Sequence, residues 1–341
     1  MELGYGLITC QRYPGDPRTP ADLYRESIEL ARSCEEAGLD SVWTSEHHFW
    51  DDDYMPSLLV LSAAFAAATS RIRIGTGVLL APLYHPIRLA EDAATVELIS
   101  EGRLILGLGI GWRPEEFGRL GIPTTDVGRR LTETVKVLRL AWADEAFSFK
   151  GKIYQFEPTN VTPKPSGKIP IWIGGFVDDA LRRAGKIGDA YFGSSVPFED
   201  VERRMRVVTE GLEKAERDPA DFSWGIHEPT WVAEDPEAEL GKILPHIHYS
   251  KWKYMDMADE FGRGPSDRLP DPPPLDESAR ESLVKSLIIG TPDQVAGRIK
   301  MFAEVLGPDL HFVARSNYPG IPHELAMDSI ARLGHVKPLL P

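Results

Sequence analysis

The stretch IRIGTGVLLAPLYHPIRLAEDAATVELISEGRLILGLGIGW, residues 72–112, contains a complete strand–helix–strand unit. Its first apolar run ends in glycines, and its last run, residues 104–108, is again typical of a buried strand. The intervening residues 87–99 are predicted to form a helix. A helix between two buried strands is typical of α/β proteins with a parallel sheet, so the fold depends on how often this unit recurs.

The same alternation continues along the chain. Strands are predicted at 3–9, 39–43, 71–76, 104–108, 171–173, 189–192, 222–232 and 310–314. Helices are predicted at 20–37, 57–69, 87–99, 129–143, 178–186, 200–217, 292–306 and 323–333. Eight strands that are each followed by a helix favour an α/β fold of the (β/α)₈ TIM-barrel type over an open doubly wound sheet. In such a barrel, function is expected where the strands end and the next loops begin.

Two segments interrupt this rhythm. FSFKGKIYQF, residues 147–156, predicts a β-hairpin that turns at Lys150-Gly151. Residues from about 234 to 285 include the run RGPSDRLPDPPPLDES, whose Pro, Asp and Gly content predicts an inserted, partly mobile lid rather than a packed element. After it, Thr291-Pro292-Asp293-Gln294 predicts a capping box at a helix start. We therefore expect residues 1–341 to form one barrel domain with an insertion after the seventh strand.

Composition excludes several classes of function. The chain has 52 acidic and 38 basic residues and a net charge of −14, which argues against a nucleic-acid partner or an anionic membrane surface. With two cysteines and no C-x-x-C motif, we expect no structural zinc or iron–sulfur site. The chain shows no secretory leader and no apolar run long enough to span a bilayer, so we expect a cytoplasmic protein.

SVWTSEHHF, residues 41–49, brings Glu46, His47 and His48 to the end of the second predicted strand. Adjacent side chains point to opposite sides of a continuing strand, so at most one imidazole should face the barrel mouth. An isolated histidine is more often a structural residue than a catalyst. A metal site would need further ligands, for which His227 and the run of aspartates at 51–53 are candidates, although nothing in the sequence fixes a geometry.

Glycines mark the ends of other predicted strands. LILGLGIGW, residues 104–112, lacks the dinucleotide fingerprint because Trp112 replaces its last glycine. Its alternating glycines either clear one face for a flat ligand or belong to a strand corner in a tight barrel. IPIWIGGFVDDAL, residues 169–181, runs from a strand through Gly174-Gly175 into a helix start, which suits a phosphate group. Alternatively, Asp178 and Asp179 cap that helix themselves.

Together, SVWTSEHHF, the 72–112 stretch, IPIWIGG and GTPDQV resemble the bacterial luciferase-like family of flavin-dependent oxidoreductases, and the similarity spans essentially the whole chain. The resemblance implies a barrel with an insertion after the seventh strand and a reduced flavin at the strand ends. It implies that His47 is the catalytic histidine and that the Gly77–Val78 peptide bond is cis. The implied cofactor-binding residues are Thr76, Gly77, Val78, Gly109, Gly111, Gly175, Phe176 and Val177.

The implied reaction is monooxygenation, in which reduced FMN and O₂ form a C4a-peroxide that transfers oxygen to a small organic substrate. His47 would hydrogen-bond the peroxide or move a proton. We expect substrate contacts from Tyr249 and Trp252 in the inserted run HIHYSKWKYM, residues 246–255, and from Cys10 and His227 near strand ends. For Cys10 and for the inserted run, ordinary packing is the alternative.

The resemblance also implies partners. No nicotinamide-binding fingerprint is present, so reduced flavin is expected from a separate flavin reductase. A homodimer is expected through the second and third helices, with His48 contacting Glu91 of the other subunit. One position departs from luciferase: Ile110 replaces an arginine that reaches the flavin phosphate, so the amides of residues 175–177 would have to hold that group.

Three alternatives remain open at the level of sequence. The same glycine-lined strand ends would suit an 8-hydroxy-5-deazaflavin coenzyme and hydride transfer without oxygen. A luciferase-like barrel can also bind flavin without turnover. A metal-dependent barrel hydrolase is the third alternative.

Overall fold

Eight parallel strands form a closed ring in this computed structural model, which describes residues 1–143, 145–259 and 272–341. The strands are β1 (Glu2–Ile8), β2 (Ser41–Thr44), β3 (Arg73–Thr76), β4 (Leu104–Gly109), β5 (Ile171–Gly174), β6 (Ala190–Ser194), β7 (Ser223–Val232) and β8 (His311–Arg315). Each pairs with the next along the chain, and β8 pairs with β1 from Glu2↔His311 to Gly6↔Arg315. The predicted TIM barrel is therefore confirmed.

Helices surround the ring. They are α1 (Pro20–Glu36), α2 (Leu58–Ala68), α3 (Pro86–Ser100), α4 (Pro114–Arg119), α5 (Val127–Ala141), α6 (Asp178–Ile187), α7 (Val201–Glu213), α8 (Pro236–Asp259), α9 (Glu277–Lys285), α10 (Pro292–Leu306) and α11 (His323–Val336). Thr291 and Gln294 form the predicted capping box of α10. Thr19 and Asp22 form a second box at α1 that we did not predict. The predicted hairpin pairs Phe147–Lys150 with Gln155–Thr159 in antiparallel fashion.

Aromatic side chains fill the interior of the barrel below its carboxyl-terminal edge. The Trp43 ring stacks on Phe192 with a centroid separation of 4.4 Å, and Trp172 lies 5.3 Å from it. Trp43 donates its indole N–H to Ser41, which also contacts His311 at 2.6 Å. Burial of these rings supplies much apolar contact area, and it closes the barrel to ligands from below.

The insertion after β7 differs from the sequence prediction. Residues 234–285 were expected to lack packed elements, but α8 and α9 lie within this range. A short strand, Ile288–Gly290, follows and pairs with the end of β7, an element that the sequence analysis missed. On α8, the apolar residues Leu240, Ile243 and Leu244 lie at helical spacing and are buried. Tertiary packing therefore supports the helix despite its internal Pro245. Most of the Pro-rich run lies in 260–271, outside the described residues.

Among the helices within the described ranges, none is both long enough and apolar enough to cross a lipid bilayer.

The close contact between β3 and β4 gives a test of the packing. Thr76 Oγ1 donates to the Gly107 carbonyl and accepts from its N–H, both at 2.8 Å. A Cβ on Gly107 would lie 1.9 Å from the Thr76 carbonyl oxygen. We expect Gly107→Ala to destabilise the fold by about 1–3 kcal/mol, measured by urea unfolding, because backbone must move. Gly118→Ala on α4, where a Cβ meets nothing within 4 Å, is the control and should be neutral or slightly stabilising. Equal stability of the two variants would contradict this packing.

Candidate functional site

All eight strand ends contribute to one cavity of about 560 Å³ at the carboxyl-terminal edge of the barrel. Its residues from the strand ends include Leu7, His47, Gly77, Gly109, Gly174, Ser194, His227 and Arg315. Tyr254 of α8 adds a contact from the insertion. Cavities of this size commonly bind a cofactor-sized molecule, and their position here is the functional edge of a TIM barrel.

His47 is held at the cavity by a buried carboxylate. Its Nδ1 lies 2.8 Å from Glu116 Oε1, and the same oxygen accepts the backbone N–H of His48 at 2.8 Å. Because Nδ1–H donates to Glu116, the neutral ring has an unprotonated Nε2, and the ring borders the cavity. A neutral imidazole in this orientation can accept a proton or a hydrogen bond at Nε2.

Four aromatic side chains fix the orientation of the His47 ring. Trp50 stacks on it with centroids 4.5 Å apart, and Tyr54 meets its edge at 4.9 Å. Tyr254 and Trp112 approach at 5.5 and 5.7 Å. The Tyr54 and Tyr254 hydroxyl oxygens are 2.8 Å apart, so a hydrogen bond connects the β2–α2 loop to α8. The insertion thus contributes Tyr254 as one aromatic contact of the imidazole, and the aromatic lid over a cofactor stays a prediction.

His48 faces away from His47 and pairs with Glu46 at 2.7 Å. Burial raises the pKa of the Glu46 carboxyl, although its bond to His48 acts in the opposite direction. Burial lowers the pKa of His48, but Glu46 outweighs this effect and the net pKa is raised. Within this chain Glu91 bonds to Arg88. The contact between His48 and Glu91 of a second subunit stays a prediction.

The Gly77–Val78 bond is cis, which confirms the prediction for this bond. Val78 lines the cavity, and its side chain occupies the space that neighbouring glycines leave. A Cβ on Gly109 would lie 2.6 Å from Val78 Cγ2, and one on Gly174 would lie 3.1 Å from Cγ1. Gly111 has φ +74° and lies against Phe117. The alternating glycines are therefore needed for close packing within the barrel, and Gly109 and Gly111 also border the cavity.

Gly175, Phe176 and Val177 border the cavity and lead into α6. Phe176 and Val177 are 57% and 66% exposed, so this part of the cavity is open to solvent. Val177 occupies the N-cap position, and no side chain caps the helix. Asp178 instead bonds to Arg203 at 2.7 Å, so the alternative in which Asp178 or Asp179 caps the helix is not observed. The first-turn N–H groups remain suited to an anion.

Only one of the four predicted substrate residues, His227, lies at the cavity. Cys10 borders a separate cavity of about 40 Å³ beneath α1 and α11. Tyr249 points to Asp52, with its hydroxyl 3.3 Å from Oδ2, and Trp252 is buried beside Tyr249 with ring centroids 5.6 Å apart. The placement of Tyr249 and Trp252 differs from the prediction because side chains of a helix face different neighbours. The face of α8 that carries these two residues packs against other parts of the fold.

Thr76, predicted as a cofactor contact, likewise lies outside the cavity lining, because its hydroxyl is bonded to Gly107. Three residues at the site were missed as site residues: Glu116, Tyr254 and Arg315. Tyr254 belongs to the aromatic run that we singled out, and Arg315 directly follows the last predicted strand, 310–314. Glu116 follows the glycine-rich strand end, but no sequence pattern connects it to His47, 69 positions earlier.

No group of three or more potential metal ligands occurs among residues 1–143, 145–259 and 272–341. The aspartates at 51–53 have other partners: Asp52 accepts from Gln11, Asp53 lies 3.7 Å from Arg12, and Asp51 pairs with Lys253. His227 lies apart from them at the cavity, beside Phe192 at 5.3 Å. The polar groups at the site include the His47 imidazole, the Glu116 carboxylate and the Arg315 guanidinium.

Two neighbouring residues on β7 have strongly shifted pKa values. Burial, followed by the positive charge of Arg315, lowers the pKa of His227 to about 3, so this imidazole is neutral at ordinary pH. Burial raises the pKa of Glu228 to about 8, against the opposing effects of the Val196 N–H, Arg204 and Arg315. At pH 7 the Glu228 carboxyl is therefore mostly protonated.

Comparison with known proteins is consistent with this architecture. A family model described as luciferase-like monooxygenase matches residues 1–309. A glucose-6-phosphate dehydrogenase of Amycolatopsis mediterranei, described as F420-dependent, is 30% identical over 82% of this chain and 85% of the relative. The oxygenase component of flavin-dependent trigonelline monooxygenase from Acinetobacter baylyi is 34% identical over 50% of this chain and 48% of its own. The structure of monooxygenase RslO1 from Streptomyces bottropensis superposes with a TM-score of 0.85, 23% identity and full coverage of both chains.

The raised pKa of Glu228 predicts a pH-dependent stability. The unfolded chain ionises this carboxyl near its ordinary value of 4.5, whereas the folded protein holds the proton up to pH about 8. The stabilising contribution is complete below pH 4.5 and is lost as the pH rises toward 8. As the pH rises across this range, we expect the unfolding free energy of Glu228→Gln to increase relative to that of the parent. The difference should grow by up to about 1.4 kcal/mol per pH unit.

Thermal unfolding of both proteins at several pH values from 5 to 8 measures this slope. Glu157→Gln, which changes an exposed carboxylate of the hairpin, is the control and should leave the difference from the parent independent of pH. A flat difference for Glu228→Gln would mean that the carboxyl is ionised in the folded protein.

Proposed function

Because the chain belongs to the family of luciferase-like monooxygenases, we propose that it binds reduced FMN in the cavity and uses O₂ to oxygenate a small organic substrate. The observation that carries the proposal is the placement of His47, whose Nδ1 bonds to Glu116 while the ring borders the cavity. Relatives named above are flavin- or F420-dependent, and we place this chain with them as an oxidoreductase.

The cavity residues fit a flavin. Leu7, Leu80, Ile110 and Phe192 provide apolar surface, and the Gly77–Val78 turn brings backbone to the cavity, where a flat ring can lie against it. When bound, reduced flavin supplies the electrons that activate O₂, and the protein supplies orientation and a dry environment.

His47 is the proposed catalytic residue. Its Nε2 can accept a hydrogen bond or a proton from the reacting group, and Glu116 stabilises the imidazolium that would result. Because Trp50 stacks on the ring and Glu116 holds Nδ1, the position of Nε2 is fixed before substrate binds. Tyr254 covers the ring from α8 and helps to exclude water.

We propose that the phosphate of FMN lies at the loop of Gly175, Phe176 and Val177. Ile110 borders the cavity where luciferase has an arginine, so it cannot bind the phosphate. Backbone N–H groups at the start of α6 would therefore hold the anion. Arg204 lies near the same loop, 5.9 Å from the Phe176 ring, and is paired with Asp200 at 2.7 Å. The relative described as the oxygenase component of a flavin-dependent monooxygenase supports the further proposal that reduced flavin comes from a separate flavin reductase.

A homodimer through α2 and α3 remains part of the proposal. The surface of α2 carries an apolar stripe in which Val60 is 73% exposed, and Ala63, Ala64 and Ala67 continue it at helical spacing. Such an uncharged stripe of small side chains permits close approach of a second helix.

A second candidate function is hydride transfer with a reduced 8-hydroxy-5-deazaflavin. It is favoured by the relative that is 30% identical over 82% of this chain and is described as F420-dependent. The family model that matches residues 1–309 is described as luciferase-like monooxygenase. We therefore give FMN-dependent oxygenation precedence.

The His47 proposal is tested with His47→Gln. We expect substrate-dependent oxygenation to fall by about 10²–10⁴-fold, because proton transfer at Nε2 is lost. Affinity for reduced FMN, measured anaerobically by fluorescence titration, should stay close to that of the parent. His335→Gln, at an exposed position of α11, is the control. Unchanged oxygenation by His47→Gln would contradict a catalytic role.

The cofactor is tested by anaerobic titration of the parent protein with reduced FMN and with reduced deazaflavin, followed by exposure to O₂. We expect tighter binding of reduced FMN, and oxygen consumption that exceeds that of free reduced FMN when substrate is present. Binding of the deazaflavin alone would replace the first candidate function with the second. Tight flavin binding with no turnover of any substrate would indicate a flavin-binding protein.

The dimer is tested by Val60→Asp. A buried charge in the proposed interface should shift the protein from dimer to monomer in size-exclusion chromatography with light scattering. Leu140→Asp on α5, at a position 38% exposed, is the matched control and should not change the mass. A monomeric parent protein would contradict the proposed interface directly.

A further inference from the structure

A second cavity of about 600 Å³ adjoins the proposed cofactor cavity, and Tyr254 and Arg315 line both. The second cavity lies between the ends of β6 and β7, the insertion and α10. Val196, Phe198, Leu287 and Phe302 give it apolar walls. It has room for an organic molecule that would reach the first cavity at Arg315.

Arg315 lies at this junction with little to balance its charge. Its Nη2 donates to Ser250 Oγ at 3.2 Å, and the Tyr254 and Tyr318 rings lie 5.5 and 5.7 Å from the guanidinium. The buried Nε has no hydrogen-bond partner. Across the described parts of the chain, Arg315 forms no ion pair with a carboxylate. A partly buried guanidinium without a counter-ion, at the border of two cavities, points to an anion that binds there.

The acids and bases around Arg315 do not neutralise it. Glu228 also lines the second cavity, but its pKa of about 8 keeps it mostly protonated at pH 7. The Glu228 carboxylate oxygen accepts the Val196 N–H rather than a guanidinium hydrogen. His227, with a pKa of about 3, is neutral and adds no charge. The junction of the two cavities is thus positive.

We infer that Arg315 binds the carboxylate of an organic substrate whose apolar body occupies the second cavity. The planar guanidinium offers N–H donors in a geometry that matches a carboxylate, and among the described residues it donates only one hydrogen bond, from Nη2 to Ser250. The bond would place the substrate beside the first cavity, next to the ring that reacts. This inference rests on the proposed function only for the assignment of the first cavity to the cofactor.

The test uses benzoate and its neutral analogue benzamide, titrated by calorimetry into the parent protein without cofactor. We expect benzoate to bind at least about tenfold more tightly, because a charge-assisted pair forms only with the carboxylate. Arg315→Met should abolish this preference, and Arg315→Lys should retain part of it. Arg298→Met, which removes an exposed cation of the second cavity, is the matched control and should preserve it.

Thermal unfolding shows whether the variants fold. Because Arg315→Met removes a partly buried charge that has no counter-ion, we expect a Tm close to that of the parent. Equal binding of benzoate and benzamide to the parent would overturn the inference, as would an unchanged preference in Arg315→Met.

Reduced FMN, titrated in parallel, separates this inference from the proposed function. If Arg315→Met weakened reduced FMN and left benzoate binding intact, Arg315 would belong to the cofactor site and the inference would be wrong. If the parent bound no FMN but still preferred benzoate through Arg315, the inference would stand and the proposed function would fail.

Discussion

Pairing of β8 with β1 closes the ring, and the rest of the site depends on it. The pairing extends from Glu2↔His311 to Gly6↔Arg315 and brings the two ends of the sheet together. In a closed parallel barrel all carboxyl ends lie at one edge, so eight separate loops border one space. Without closure, His47 after β2 and Arg315 at the end of β8 would not share a cavity.

The site has two chemically different sides. On one side, Glu116 orients His47, and aromatic rings hold the imidazole in place. On the other, Arg315 carries a positive charge beside a protonated Glu228 and a neutral His227. Burial is the main cause of both pKa shifts, which leave Glu228 and His227 without charge beside the guanidinium. The proposed proton transfer and the inferred anion binding therefore fall on separate groups.

The helix α8 connects these two sides. Tyr254 meets the edge of His47, bonds to Tyr54 and lies under the Arg315 guanidinium. One side chain from the insertion therefore borders both cavities. An insertion at this point in the chain can change the substrate cavity while the barrel and its imidazole stay the same.

The sequence determined the barrel and one half of the site. Strand and helix patterns are local, so the eight strand–helix units, the hairpin and the Thr291 capping box were predictable. The family resemblance correctly indicated the cis Gly77–Val78 bond, and His47 does border the cavity. The sequence shows where the glycines at the strand ends lie, but it does not show that Gly109 and Gly174 make room for the Val78 side chain.

Only the tertiary structure decided which distant side chains meet. The pairing of His47 with Glu116 spans 69 positions, and Arg315 approaches Tyr254 from the far end of the chain. Because side chains along a helix point in different directions, Tyr254 of α8 borders the cavity whereas Tyr249 contacts Asp52. Burial and charge balance are properties of the assembled fold, so the sequence alone could not reveal an arginine without a counter-ion.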